Sequence, residues 1–280
     1  MKKHLLQIIQ IHMKAFTLIS LIFLMGFNGY AQQAGDYRSV GGTSQNPKPW
    51  LDAGTWEKYD GTTWNTATDY PLSATFSGTV FIQPNTFVVY NVTSQTNGFN
   101  LAGAIIIHGN FLVNIPENSN TTFAGDIDVF ELNAGGVFRT TFSNNPQLEV
   151  RINELFRING GELRYQDGKN NSALYIECKG DVEVNGGLVI NDTNSGLNDS
   201  GLYMSGNGTQ ANPQHLKITS NVSTLARKLF FATSSTYIVE EYAGSIEQNT
   251  VSGEIADPRS GYVGLQNKGN VLTINNSSTN

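Results

Sequence analysis

Two segments of this chain read alike. Leu148-Glu149-Val150-Arg151-Ile152-Asn153-Glu154-Leu155-Phe156-Arg157-Ile158-Asn159-Gly160-Gly161 is answered by Leu174-Tyr175-Ile176-Glu177-Cys178-Lys179-Gly180-Asp181-Val182-Glu183-Val184-Asn185-Gly186-Gly187, 26 residues later and without a gap. Apolar and polar residues alternate in short runs, and each copy ends on Asn-Gly-Gly. Period-two alternation marks half-buried strands, and a repeat of this length made of short strands marks a solenoid. The first copy divides into strands at 148–152, 155–159 and 162–166. Three short strands and about 26 residues per coil predict an all-β fold, a right-handed parallel β-helix; propeller repeats run to ~40 residues or more.

The same register stacks side chains. Val150 falls over Ile176 and Ile152 over Cys178, while Phe130, Phe156 and Val182 form one column and Leu132, Ile158 and Val184 another. These are the inward positions, because in-register parallel strands bury like over like. Cys178 is therefore expected as a small core hydrophobe rather than a nucleophile. Glu131, Arg157 and Glu183 lie between the inward columns, face outward, alternate in sign and should form weak surface ion pairs. Asn133, Asn159 and Asn185 precede the turns and are expected to stack as a hydrogen-bonded ladder, with His108 in their column. Gly109, Gly135, Gly160 and Gly186 recur at intervals of 26, 25 and 26. They are read as one turn column with φ > 0, the pairing near Ala134 staying open by one residue.

A further coil begins at 199–204, where Leu202-Tyr203 echoes Leu174-Tyr175 at an offset of 28, the extra residues fitting the loop 191–200. Beyond Gly208 the period blurs, and strands are expected at 215–219, 228–232, 237–241, 262–265 and 270–274. The domain reading is 32–75 as a Trp-rich N-terminal cap, 76–274 as β-helix and 275–280 as a frayed tail.

Residues 1–31 read as a secretory signal peptide. Lys2, Lys3 and Lys14 precede an apolar run from Ala15 to Phe27, and Gly29-Tyr30-Ala31 offers small residues at a cleavage site after Ala31. The run is shorter than the ~20 residues of a membrane span. The whole chain carries a net charge of −6, and the leader holds three lysines and no acid, so the mature chain stands at −9. Such a charge argues against nucleic acid as a partner. The single Cys178 excludes internal disulfides, so an extracellular destination comes without covalent staples.

Residues 32–75 hold all three tryptophans, Trp50, Trp56 and Trp64. Gly54-Thr55-Trp56-Glu57-Lys58-Tyr59-Asp60-Gly61-Thr62-Thr63-Trp64 reads as a hairpin turning at Asp60-Gly61. The tryptophans are either a glycan-stacking platform or an aromatic plug over the open end that every repeat stack must cover. This segment also carries a likeness. Asp36-Tyr37-Arg38-Ser39, the run from Trp50 to Trp64, Pro71 and the strand Val80-Phe81-Ile82 resemble the start of secreted β-helical surface proteins of Bacteroidota, often exported by the type IX system. The resemblance covers roughly residues 34–115 by motif. It implies a β-helix and a surface location, and no catalytic residues.

Three constellations bear on chemistry. Asp126 and Asp128 share one side of a strand, and Asp181 and Glu183 repeat the pattern; with Arg139, Arg151 and Arg164 nearby they suit a polysaccharide lyase or hydrolase of β-helix type. Outward charges on a solenoid are equally a solvated face. Asp192, Asn194 and Asp199, in an oxygen-rich loop, suit calcium but lack EF-hand spacing. No His/Cys cluster for zinc, Ser-His-Asp pattern, phosphate loop or dinucleotide fingerprint is visible. The sequence thus supports an exported structural or adhesive module of the cell surface that contacts glycans or other surface proteins. A β-helix enzyme on acidic polysaccharides and the N-terminal piece of a larger surface protein are the alternatives.

Overall fold

Val, Ile, Phe and Tyr in alternation with polar residues favour strands over helices, and strands are what the computed structural model shows. It describes residues 30–72, 76–92, 100–115, 122–142, 147–168, 173–190, 201–206, 209, 211–212, 214–218, 228–231, 236–241, 256–257, 261–262 and 271–275. Residues 1–29, the bulk of the expected signal peptide, lie outside them, as does most of the tail at 275–280. Gln33–Asn280 forms a single compact unit.

The chain opens with β1 (Tyr37–Ser39), β2 (Lys48–Pro49), a 3-10 turn at Ala53–Thr55, β3 (Trp56–Tyr59) and β4 (Trp64–Thr66). The expected hairpin is present, with Tyr59 opposite Trp64. Gly61 adopts φ 102° at its turn, and the Asp60 carboxylate accepts the N–H groups of Thr62 at 2.7 Å and Thr63 at 2.8 Å. Those bonds favour the charged form and hold the Asp60 carboxyl far below the usual carboxylate range. β1 and β2 run parallel to the strands of the next coil, Tyr37 lying opposite Val80 and Lys48 opposite Val88. The aromatic cap is thus the first rung of the stack itself, and the hairpin continues it antiparallel, Arg38 facing Glu57. Pairing the edge satisfies backbone groups that a plug of side chains would leave bare.

Next come β5 (Thr79–Ile82), β6 (Phe87–Asn91), β7 (Asn100–Ile107) and β8 (Asn110–Ile115). The regular coils are β9 (Thr122–Asn133) with β10 (Val137–Phe142), β11 (Gln147–Asn159) with β12 (Glu162–Gly168), and β13 (Ala173–Cys178) with β14 (Asp181–Val184) and β15 (Leu188–Ile190). Phe130 pairs with Phe156, and Phe156 with Val182, each step 26 residues. The chain is a β-solenoid of stacked parallel strands. In β9 and β11 the first two expected strands fuse, and an irregularity between Ile152 and Leu155 marks their junction. In the third coil Lys179-Gly180 separates them.

β16 (Gly201–Met204), β17 (Gln214–Ile218), β18 (Lys228–Phe231) and β19 (Thr236–Glu241) extend the stack in parallel. β20 (Ala256–Asp257) and β21 (Gly261–Tyr262) form a separate pair. β22 (Val271–Asn275) closes against β19 antiparallel. Strands thus occur at four of the five places expected beyond Gly208; of the fifth, 262–265, only Tyr262 lies within the described residues, at the end of β21. One offset is corrected: Leu202 lies opposite Ile176, not Leu174, so the spacing is 26 rather than 28. A two-residue slip keeps every side chain on its own face, and matching Leu-Tyr to Leu-Tyr could not detect it.

The inward columns are as expected. Phe130, Phe156, Val182, Leu132, Ile158, Val184, Val150, Ile176, Ile152 and Cys178 are all buried. Aromatic rings run through this core from the cap: Trp56 to Trp50 at 4.8 Å, Trp50 to Phe111 at 5.1 Å, Phe111 to Phe138 at 5.5 Å, Phe138 to Phe130 at 5.0 Å and Phe130 to Phe156 at 5.8 Å. Each buried Phe contributes ~1.5–3 kcal/mol by leaving water.

The glycine column needs a second correction. Gly135, Gly160 and Gly186 have φ of 83°, 82° and 96°, as expected, but Gly109 does not share the left-handed region. The register sets Asn110 and Glu162 beside Val137, and Leu188 beside Glu162, so Gly109 belongs with Gly136, Gly161 and Gly187. In that column a Cβ would collide with the coil below; at Gly161 it would stand 2.7 Å from the Asn133 carbonyl oxygen. At the two middle turns the paired glycines serve two ends, conformational at Gly135 and Gly160 and steric at Gly136 and Gly161, while Gly187 is constrained in both ways with φ 117°.

Candidate functional site

Every candidate carboxylate lies on the outward side of the large sheet that contains β9, β11, β13 and β14. Successive coils bring like positions to roughly 5 Å, so the question is what each charge meets above and below.

Arg151 is flanked by Asp126 and Glu177 in register. It bonds Glu149 at 3.0 Å and stands 3.6 Å from Asp126 and 3.7 Å from Glu177. The Glu149 hydrogen bond, with charge from all three acids, raises the guanidinium above its ordinary value. Asp128 occupies the corner. It accepts from Asn153 Nδ2 at 3.1 Å, and Asn153 Oδ1 accepts from Lys179 at 3.4 Å, making a ladder across three coils.

Arg157 joins the coils on either side, donating to Glu183 at 2.7 Å and to Glu131 at 3.0 Å. Burial works against its charge, but the two carboxylates outweigh it and the guanidinium is held above its ordinary value. The contact is less superficial than the sequence suggested, since Glu131 is only 6 % exposed and also accepts from Asn133 Nδ2 at 2.8 Å. The column continues with Lys217 beside Glu183 and Glu240 beside Lys217, so the signs alternate along five strands. Asp181, though exposed, accepts the backbone N–H of His215 at 2.8 Å.

The turn ladder forms in two separate steps, with Asn133 turned to Glu131 rather than bonded to Asn159. Asn185 Nδ2 donates to Asn159 Oδ1 at 2.9 Å, and Asn133 Nδ2 approaches His108 Nε2 at 3.4 Å. Burial lowers the His108 pKa, an effect that Glu131 partly offsets. A neutral imidazole accepts through Nε2, which suits this contact. On the smaller sheet Thr141 donates to Asn114, and Asn114 to Asn91, at 2.9 and 2.8 Å.

Trp50 and Trp56 are fully buried. Their indole N–H groups donate to the carbonyls of Pro71 at 2.6 Å and Trp50 at 2.8 Å, which withholds both rings from a sugar. Trp64 is half-buried, with the Arg38 guanidinium 4.7 Å over its ring and Phe81 at 6.3 Å. Asp192, Asn194 and Asp199 lie outside the described residues. Among those described, no group of three or more His, Cys, Asp or Glu gathers to hold a metal, and no helix is long and apolar enough to cross a membrane.

Of the four candidate acids, Asp126 and Asp128 lie two residues apart on β9, while Asp181 and Glu183 sit on β14, with β11 between the two strands. Each faces a neighbouring coil. Burial raises the Cys178 thiol well above its ordinary value, as befits a core position. Sequence reasoning missed two polar anchors. Asp36, 1 % exposed, accepts the N–H groups of Gln33 and Thr79, each at 2.7 Å, tying β1 to β5. Gln214 is buried, donates to the carbonyls of Cys178 and Gly180 and accepts from Gly206 N–H at 2.8 Å. Polar residues at coil spacing, such as Asp128, Asn153 and Lys179, were a signal available in the sequence; Gln214 had none.

No protein-family model, curated protein or solved structure matches this chain.

Proposed function

We propose that this protein is an exported structural or adhesive β-helix module of the outer cell surface, contacting extracellular glycans or other surface proteins. The observation that carries the reading is the use of its outward charge. Asp126, Asp128, Asp181 and Glu183 are each engaged by a residue of another coil, a pattern that serves a stiff rod better than a cleft, where an acid and a base must face substrate. The apolar leader and the likeness to secreted β-helical proteins of Bacteroidota support export, with the type IX system as the route.

The test has two arms. The full chain, tagged and expressed in a Bacteroidota host, is expected in the surface-exposed, protease-accessible fraction, and a host lacking type IX export should retain it. Beads coated with the purified protein are then expected to adhere to cells or immobilised polysaccharide without releasing sugars. Retention of the tagged chain in the cytoplasm would defeat the reading. Turnover of acidic polysaccharide lost on Asp128→Ala would replace it with the enzyme.

A further inference from the structure

We infer that the mature chain begins on pyroglutamate at position 32, a modification that closes the first turn of the fold to aminopeptidases. This rests on the export reading, in which the leader is cut after Ala31. Gln32 then becomes the first residue, ahead of Gln33-Ala34-Gly35-Asp36.

The structure anchors the chain one residue later. Gln33–Asn280 is a compact unit whose boundary falls at the Gln32–Gln33 peptide. The Gln33 N–H donates to Asp36 Oδ2 at 2.7 Å, and the Asp36 N–H returns to the Gln33 carbonyl at 3.0 Å. The Gly35 N–H donates to the Tyr59 carbonyl at 2.8 Å, which joins this turn to the hairpin. Asp36 is 1 % exposed, and its other carboxylate oxygen accepts from Thr79. Gln32 itself is exposed. Cleavage after Ala31 therefore leaves one residue ahead of the anchored Gln33 amide, and that residue is a glutamine.

A terminal glutamine carries its own electrophile. An α-amine titrates near neutral pH, so part of it is neutral and nucleophilic there. The nitrogen attacks Cδ of the same residue, and the new N–Cδ bond closes a five-membered lactam as the Cδ–Nε2 bond breaks. Nε2 takes the proton that the amine gives up and leaves as ammonia, so the step balances without water or a co-reactant. An exposed side chain can bend back onto its own amine while the Gln33 amide stays on Asp36. The product has lost the terminal charge and the free amine on which an aminopeptidase acts. That matters because chain ends are where trimming begins. Removal of residues through Gln33 would take a donor from the buried Asp36 carboxylate, the anchor that ties β1 to β5.

The full chain, tagged at its C-terminus, is recovered from the surface fraction of a Bacteroidota host, and its N-terminal peptide is weighed by mass spectrometry. The peptide is expected to start at residue 32 and to be lighter by one ammonia than a synthetic free-amine standard carried through the same digestion. Gln32→Asn, whose shorter side chain could close only a strained four-membered ring, should start at the same residue with its amine free. An aminopeptidase should leave the original chain intact and trim the variant, whose melting temperature then falls as Gln33 is lost. A chain that starts at residue 32 with a free amine, or that the aminopeptidase trims, would overturn the inference and leave the export reading standing. A leader cut at another residue would overturn the inference together with the cleavage site, and an uncut chain held in the cytoplasm would overturn export as well.

Discussion

Arg157 shows how one side chain can tie three coils. Its partner Glu131 is nearly buried, so removing the guanidinium leaves a carboxylate out of water with Asn133 as its remaining donor. Arg157→Met should cost about 1–3 kcal/mol, more than the ~0.2–1 kcal/mol of an exposed pair. Chemical denaturation of the single and double variants with Glu131→Gln measures the coupling; independence of the two would mean the pair contributes nothing. In the core beneath, Phe156→Ala removes a ring that touches Phe130 and should cost about 3–5 kcal/mol. Cys178 is fully buried with a thiol pushed up by burial. It is expected to ignore a thiol reagent in the native protein and to react at once in denaturant. Stacked positions of this kind were legible in the sequence because like residues recur at one spacing. Gln214 was not, since nothing in its neighbours announces a side chain turned back to the carbonyls of Cys178 and Gly180.

The turns distinguish two uses of glycine. Gly160 needs its left-handed φ but an added Cβ would meet only ordinary contact, the nearest atom being Ala134 Cβ at 3.5 Å. Gly161 has ordinary φ and no room. Gly160→Ala should cost ~1–2 kcal/mol through backbone strain, whereas Gly161→Ala should cost ~1–3 kcal/mol through overpacking. Gly160→Asn, a residue that tolerates left-handed φ, should recover part of the first loss, while Gly161→Asn should be worse than Ala; thermal melts of the four variants decide. The sequence could not separate the two columns because consecutive glycines fit either alignment. It likewise hid the pairing of β1 with β5, since the inserted hairpin stretches the spacing from Tyr37 to Val80 to 43 residues.

Across the whole stack, acidity is the condition to which the rungs respond. His108 has its pKa lowered by burial from the ordinary 6.5. The unfolded chain therefore binds the proton more readily, so the stability contributed by neutral His108 is complete above pH 6.5 and is lost as pH falls through the lower folded value. His108→Asn, matching the residue below it in the column, should flatten the decline in melting temperature on acidification below that point. An unchanged slope would assign the acid sensitivity to the carboxylate ladders instead.

The two ends of the large sheet bear on how such a molecule behaves in numbers. The branch through β13 and β16 ends on the parallel strand β18, whereas at one end of the main path β3 pairs antiparallel with β1 and β4 antiparallel with β3, and at the other end β22 pairs antiparallel with β19. Slanted, evenly spaced parallel bonding gives way there to the alternating narrow and wide pairs of antiparallel bonding. A second molecule arriving at the hairpin or at β22 meets an antiparallel pair in place of the next coil of the stack. The β3–β4 hairpin and β22 interrupt coil-on-coil stacking at these two edges, and concentrated solutions are expected to hold discrete particles rather than filaments.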